Sequence, residues 1–303
     1  MTPQNPARGM IIMTLAMLLL PALDVFAKLL GETMATGQIV WYRFFVQCLI
    51  VWPVVFWLGC WRPVAGTLML QFYRGVLLAL ATLFFFAALR FLPLADAISI
   101  FFVEPMILTL LSVLFLGEVI RIRRLTAICL GFIGAMIVIR PSFDAVGTAA
   151  LLPLGTAVSF AGYMVITRRI APVVDPFQMQ AMVGATALLV MTIALGFGVL
   201  LDIAVLTPKL PAGIEIPWVM ALGSIAMLGH LLIVIAMRHA PASLLAPLQY
   251  VEIIGATVFG YWVFSDIPDT ETIIGAGLIV TSGLYLFHRE TIRRKTDSEA
   301  GRG

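Results

Sequence analysis

Residues 88–118 read ALRFLPLADAISIFFVEPMILTLLSVLFLGE, and residues 236–266, 148 positions later, read AMRHAPASLLAPLQYVEIIGATVFGYWVFSD. Six of the 31 aligned positions are identical, a count that by itself proves nothing. The placement says more. Arg90 aligns with Arg238, Pro93 with Pro241, Glu104 with Glu252 and Thr109 with Thr257, so each copy has a cation at a span end, a hinge proline and a carboxylate inside an apolar run. An ionisable group at the centre of a bilayer costs at least about 2.5–3.5 kcal/mol on insertion scales, and such groups usually face a polar interior and serve function. Two glutamates at equivalent places of an internal duplication therefore mark the functional core of the chain.

Composition agrees with that setting. Hydrophobic residues make up 61% of the chain and charged residues 12%, against about 25% charged in soluble domains. A helix needs about 20 apolar residues to cross a bilayer, and the apolar runs here reach that length without the alternation of a β-barrel. The net charge of +3 comes from cations at span ends, which suits membrane orientation and excludes a nucleic-acid partner. Cys48, Cys60 and Cys129 are scattered and imply neither a disulfide framework nor a metal set. MTPQNPARG leads into an apolar run with no A-x-A cleavage signal, so it is read as the start of a retained first membrane helix.

Ten spans are predicted, at residues 9–30, 38–59, 71–90, 94–116, 124–140, 148–169, 177–201, 216–237, 242–264 and 270–287. With a cytoplasmic N-terminus, fourteen Lys and Arg fall on the inner side, Arg62, Arg74, Arg168 and Arg238 among them, against Lys28, Arg90, Arg140 and Lys209 outside. The positive-inside rule then puts both termini in the cytoplasm. Five spans separate Arg90 from Arg238, and an odd number inverts the second copy. The expected fold is an all-α integral membrane protein with ten transmembrane helices in two inverted five-helix repeats, residues 1–140 and 141–288, followed by a basic cytoplasmic tail at 289–303. Inverted repeats are a transporter arrangement, with ligand sites near mid-membrane at the repeat interface.

Several residues are candidates for the chemistry. Phe101 shares the mostly apolar helical face of Glu104, whereas the surroundings of Glu252 include Gln249, Tyr250, Gly255 and Ala256. Pro105 and Pro247 each remove a helix hydrogen bond near a glutamate and favour a kink. The functional reading is a central site in which Glu104 and Glu252 bind a cationic group or exchange protons. The competing one is interhelical hydrogen bonding by protonated glutamates. Asp24 and Lys28 lie one turn apart on span 1. Counting 1.5 Å per residue, Asp24 is about 9 Å and Arg43 about 8 Å below the outer ends of their spans. They are expected to form a gating or structural salt bridge, with Arg43 contacting a substrate carboxylate as the alternative; Lys28 joins the pair or snorkels. His230 is a candidate proton relay or cavity donor, or a packed helix contact. Phe84, Phe85, Phe86, Phe101, Phe102, Tyr163 and Tyr250 could stack on an aromatic ligand. Gly131, Gly134, Gly275, Gly277 and Gly283 permit close helix approach within the fold, or a homodimer contact. Asp96 is expected to be hydrated at the outer mouth of span 4.

No H-E-x-x-H, Walker loop, G-x-S-x-G or paired metal ligand set occurs. The chain is therefore read as non-enzymatic, without cofactor or metal, its movements driven by a gradient and not by ATP. Residues 92–139, with WYRFF around Arg43 and the span-end pair Gly117-Glu118, resemble the drug/metabolite transporter superfamily, in particular its EamA-domain members. The second copy departs from that pattern with Ser265-Asp266. The resemblance implies a bacterial inner-membrane carrier whose central cavity is lined by spans 1, 3, 4, 6, 8 and 9, with spans 5 and 10 peripheral. Members are associated with amino acids and their export, S-adenosylmethionine, riboflavin, sugars and drugs. The two glutamates favour a substrate with a cationic amino group, an amino acid or S-adenosylmethionine, with proton coupling open. A flavin is the alternative, and a membrane-embedded enzyme or assembly subunit a third reading that lacks its clustered nucleophile, base or metal.

Overall fold

Each proposed proline kink coincides with a break in regular helix, and these breaks organise the fold. The computed structural model describes residues 6–116, 122–203, 206–240, 245–282, 284 and 285. The Gly117-Glu118 span end, Pro241 and the 289–303 tail lie outside them. Within the described residues the chain is helical, without strands: α1 (Pro6–Gly31), α2 (Thr36–Trp57), α3 (Leu68–Ala88), α4 (Leu94–Phe101), α5 (Glu104–Leu116), α6 (Ile122–Val146), α7 (Leu152–Ile170), α8 (Pro176–Leu200), α9 (Glu215–His239), α10 (Glu252–Phe264) and α11 (Thr270–Ser282).

Six helical stretches of the described residues are long and apolar enough to cross a membrane: α1, α2, α3, residues Phe143–Ile170 around α7, α8 and α9. Span 4 is not one continuous helix. It divides at Phe102 and Val103 into α4 and α5, because Pro105 has no N–H to offer the carbonyl four residues back, that of Phe101. Span 9 divides likewise, with a 3-10 segment at Ala246–Val251, which contains Pro247, ahead of α10. Span 5 extends further than its apolar run suggests. The α6 helix passes residue 140, the predicted end of the first repeat, and stops at Val146, where a short 3-10 turn leads into α7.

Local chemistry sets the other ends. Asp175 caps α8 by accepting hydrogen bonds from the backbone N–H groups of Phe177 (2.9 Å) and Gln178 (3.4 Å), with Pro176 preset for the first turn. Ser265, in the left-handed conformation at φ 57°, ends α10.

The helices pair as α1 with α9, α3 with α7, and α2 with α8 and α9. At one end of the bundle Lys28 meets Asp266, Gln38 bonds the Lys209 carbonyl, and Arg90 reaches Thr36. Gly9 abuts Ala236 and Ala240 at the opposite end, where Gln178 also donates to the Cys60 carbonyl at 2.7 Å. Among the span 5 and span 10 glycines, Gly134 and Gly275 meet directly: a methyl group on Gly134 would stand 2.8 Å from the Gly275 carbonyl oxygen. Only bare backbone fits there, which locks α6 to α11.

Candidate functional site

A cavity opens between α1, α3, α4, α7, α9 and the broken span 9, with about 700 Å³ free of protein atoms, its open side included. Its contributors are spans 1, 3, 4, 6, 8 and 9, with no residue from α6 or α11, and with one addition, Arg43 of α2. Most of the wall is apolar, built from Met17, Leu78, Phe85, Phe86, Phe160 and similar side chains. The polar minority is Asp24, Arg43, Thr82, Thr156, His230, Gln249 and Glu252. Asp24, Arg43, His230, Gln249 and Glu252 are each buried within the protein.

The two glutamates, aligned in the sequence repeat, also occupy matched places in their helices. Glu104 is the first residue of α5 and Glu252 the first of α10, so each stands at the N-terminus of a half-helix created by a break. A helix N-terminus favours a negative charge by about 0.3–1 kcal/mol, or about 2 in partly buried settings. That is less than the cost of a bilayer-centre charge, about 2.5–3.5 kcal/mol. The shortfall leaves room for a cation or a proton.

Their surroundings then diverge. Glu252 lines the cavity, whereas Glu104 is sealed behind the wall, fully buried, with neither carboxyl oxygen hydrogen-bonded. No interhelical hydrogen bond from either glutamate occurs among the described residues. Glu104 lies within electrostatic reach of Glu252 and Arg168, and Asp24 within reach of Glu252 and Arg43.

Phe101, His230, Gln249 and Glu252 come together on the wall as candidate ligand contacts. Tyr250 and Tyr163 do not. Tyr250 packs edge-on against Phe102 at 5.2 Å, its hydroxyl unpartnered, and Tyr163 stands behind Phe160 (5.2 Å) and His230 (6.1 Å). Phe102 is spent on that packing, and Phe84 lies against Gly155.

The predicted salt bridge is not formed. Asp24 and Arg43 face the same cavity, yet no ion pair within 4.0 Å joins them, and Arg43 instead donates from Nη1 to Thr82 Oγ1 at 3.1 Å. Lys28 does not pair with Asp24 either. Its Nζ is 2.6 Å from Asp266 Oδ2 and 4.4 Å from the Phe264 ring centre, because the end of α1 lies beside the end of α10. Asp96, expected to be hydrated, is buried and accepts a hydrogen bond from Thr272 at 2.9 Å.

Arg74 was counted with the inner cations, yet it is fully buried. Its Nε donates to Thr167 Oγ1 at 2.7 Å, Nη1 to the Met179 carbonyl at 2.9 Å and Nη2 to the Tyr163 hydroxyl at 2.8 Å, tying α3 to α7 and α8. Its place six residues inside α3, counted from Leu68, was the available signal. Thr82, Thr156 and Phe160 carried none, since a threonine or phenylalanine in an apolar span looks like any other. No cluster of three metal-ligating side chains occurs among the described residues.

The model of the EamA-like transporter family matches the chain twice, over residues 7–140 and 147–287. An S-adenosylmethionine uptake transporter of Rickettsia felis is 26% identical over 278 residues, 91% of this chain and 92% of its own. The pseudopaline exporter of Pseudomonas aeruginosa is 28% identical over 281 residues, 92% of this chain and 95% of its own. A solved crystal structure superposes with a TM-score of 0.64 at 18% identity over 92% of this chain and 96% of that one, a likeness of fold alone.

Proposed function

The chain belongs to the EamA-like transporter family, and from that premise we propose that it moves a small organic solute bearing a cationic amino group, an amino acid or an S-adenosylmethionine-like compound. The solute passes through the central cavity by alternating access, without ATP. The observation that carries this reading is the cavity itself, in which Asp24 and Glu252 stand on a mostly apolar wall with no Lys, Arg or His of the described residues within 4.0 Å of either carboxylate. A carboxylate pair so placed has no bonded partner among the described residues, and an ammonium group supplies one with charge-assisted hydrogen bonds.

Inverted repeats in the inner membrane, with both termini cytoplasmic, complete the proposal. They are supported by the double match of the family model and by the contacts of the two repeat-matched arginines' helices. Arg90 bonds at the end of the bundle that holds Lys28 and Asp266, while α9, which carries Arg238, finishes against Gly9 at the opposite end. Exchange of a proton at Glu104 or Glu252 is part of the same reading, because each stands at a break where the helix can rearrange. A flavin remains the second reading, supported by the ring wall of Phe85, Phe101 and Phe160.

The test is counterflow in proteoliposomes with labelled amino acids, S-adenosylmethionine and riboflavin. An amine should be carried, and Glu252→Gln should lower its rate about tenfold or more without lowering membrane insertion. Riboflavin as the only compound carried would turn the assignment to the second reading.

A further inference from the structure

Arg43 is 1% exposed and stands on the cavity wall. A guanidinium has five N–H donors in a fixed plane. Here a single bond is made, from Nη1 to Thr82, while Nε has no partner and Nη2 donates to nothing among the described residues. The Phe44 ring lies 4.3 Å from Cζ and covers the group. Thr82 spends its own proton on the Leu78 carbonyl at 2.8 Å, so its oxygen can only accept. It positions the guanidinium and has no donor left for a ligand. What results is a buried, oriented cation with open donors, which no carboxylate of the described residues approaches within 4.0 Å.

We propose that Arg43 is the carboxylate anchor of the solute site, so that the transported amine also carries a free carboxylate. The planar fork suits a carboxylate's two oxygens. A phosphate would also fit the fork, but its double charge would face Asp24 and Glu252 across the same cavity. A carboxylate joined to an ammonium satisfies both signs at once: the ammonium toward Asp24, Glu252 and the Gln249 amide oxygen, the carboxylate toward Arg43. The ligand class is therefore an amino acid or an amino-acid-bearing metabolite with both groups free. This inference rests on the transport reading above and narrows it.

The experiment uses three matched pairs of probes, each an amino acid and the amine left when its carboxylate is removed: S-adenosylmethionine and its decarboxylated form, lysine and cadaverine, phenylalanine and phenethylamine. Thermal stabilisation of the purified full-length protein gives an apparent Kd for each. At least one acid should bind tenfold or more tightly than its amine. Arg43→Gln should erase that preference while leaving the amine's affinity near the wild-type value, and Arg43→Lys should restore part of it. Thr82→Val, which keeps the cation and loses only its positioning, should weaken the acid severalfold and spare the amine. The wild-type comparison stands even where a variant fails to fold. Acids and amines binding equally well would overturn the anchor while leaving amine transport intact. An acid preference that survives Arg43→Gln would do the same. A panel in which riboflavin binds and neither acids nor amines do would overturn the amine-transport reading and the anchor with it.

Discussion

Arg43 and Arg74 are the same residue in nearly the same situation, and they differ in one respect. Both are buried inside membrane-spanning helices, at 1% and 0% exposure, and both lie over an aromatic ring, Phe44 at 4.3 Å and Tyr163 at 4.6 Å. Arg74 spends all three of its nitrogens on protein acceptors, whereas Arg43 spends one and leaves Nε open beside a cavity. Burial of a charge thus says only that the charge matters. What it is for is read from the donors left over. The glutamates divide differently: Glu252 is on the wall, whereas Glu104, which does not line the cavity, has neither carboxyl oxygen hydrogen-bonded.

The largest effect that could break the comparison is on stability. Arg74→Met would leave the Tyr163 hydroxyl without its partner, at about 1–3 kcal/mol for a buried group, would remove the ties to Thr167 and the Met179 carbonyl, and should clearly lower the thermal unfolding midpoint of the purified protein. Arg43→Met removes a charge that the protein itself barely pairs, and should cost less than about 1 kcal/mol or even stabilise. Equal losses in the two variants would erase the distinction.

A second contrast sharpens it at the glutamates. Glu252→Gln should weaken solute binding and lower transport about tenfold, the size expected for one hydrogen bond to a charged group. Glu104→Gln should lower transport with less change in solute affinity, and should flatten the response of the rate to an imposed pH gradient. Wild-type rates in both variants would remove the carboxylates from the mechanism.

The smallest effect belongs to the pair that is already complete. Lys28 and Asp266 retain 19% and 27% side-chain exposure, so a double-mutant cycle with Lys28→Gln and Asp266→Asn should give a coupling of about 0.2–1 kcal/mol that fades with salt. A coupling of several kcal/mol would show that the pair holds the bundle shut.

Much of this was legible in the residues. Length and apolarity located the six helical stretches of the described residues that are long enough to cross a membrane, and the repeat drew attention to Glu104 and Glu252 because a carboxylate in an apolar run has few bland explanations. Pro105 and Pro247 announced the breaks, since a missing N–H is a covalent fact. Partner choice was not legible. Asp24 and Arg43 sit at matching depth, which puts them on one cavity wall, but depth does not say how two helices are rotated about their axes. Lys28 found Asp266 for the same reason: which end of α10 lies beside α1 is a property of packing between distant segments. Arg74 was counted with the inner cations because charge counting treats every Arg near a span end alike, and only the packing of distant segments brings Thr167, Met179 and Tyr163 around it.

Ala81 offers the most direct measurement. It is 2% exposed and lines the cavity, so Ala81→Trp should fill the space while leaving the charged groups in place. Wild-type and variant protein would be reconstituted and compared for counterflow of labelled S-adenosylmethionine, lysine and phenylalanine, with membrane level and unfolding midpoint checked alongside. If the cavity is the path, whichever compound the wild type carries should be lost in a variant that still folds and inserts. Undiminished flux with the indole in place would contradict it.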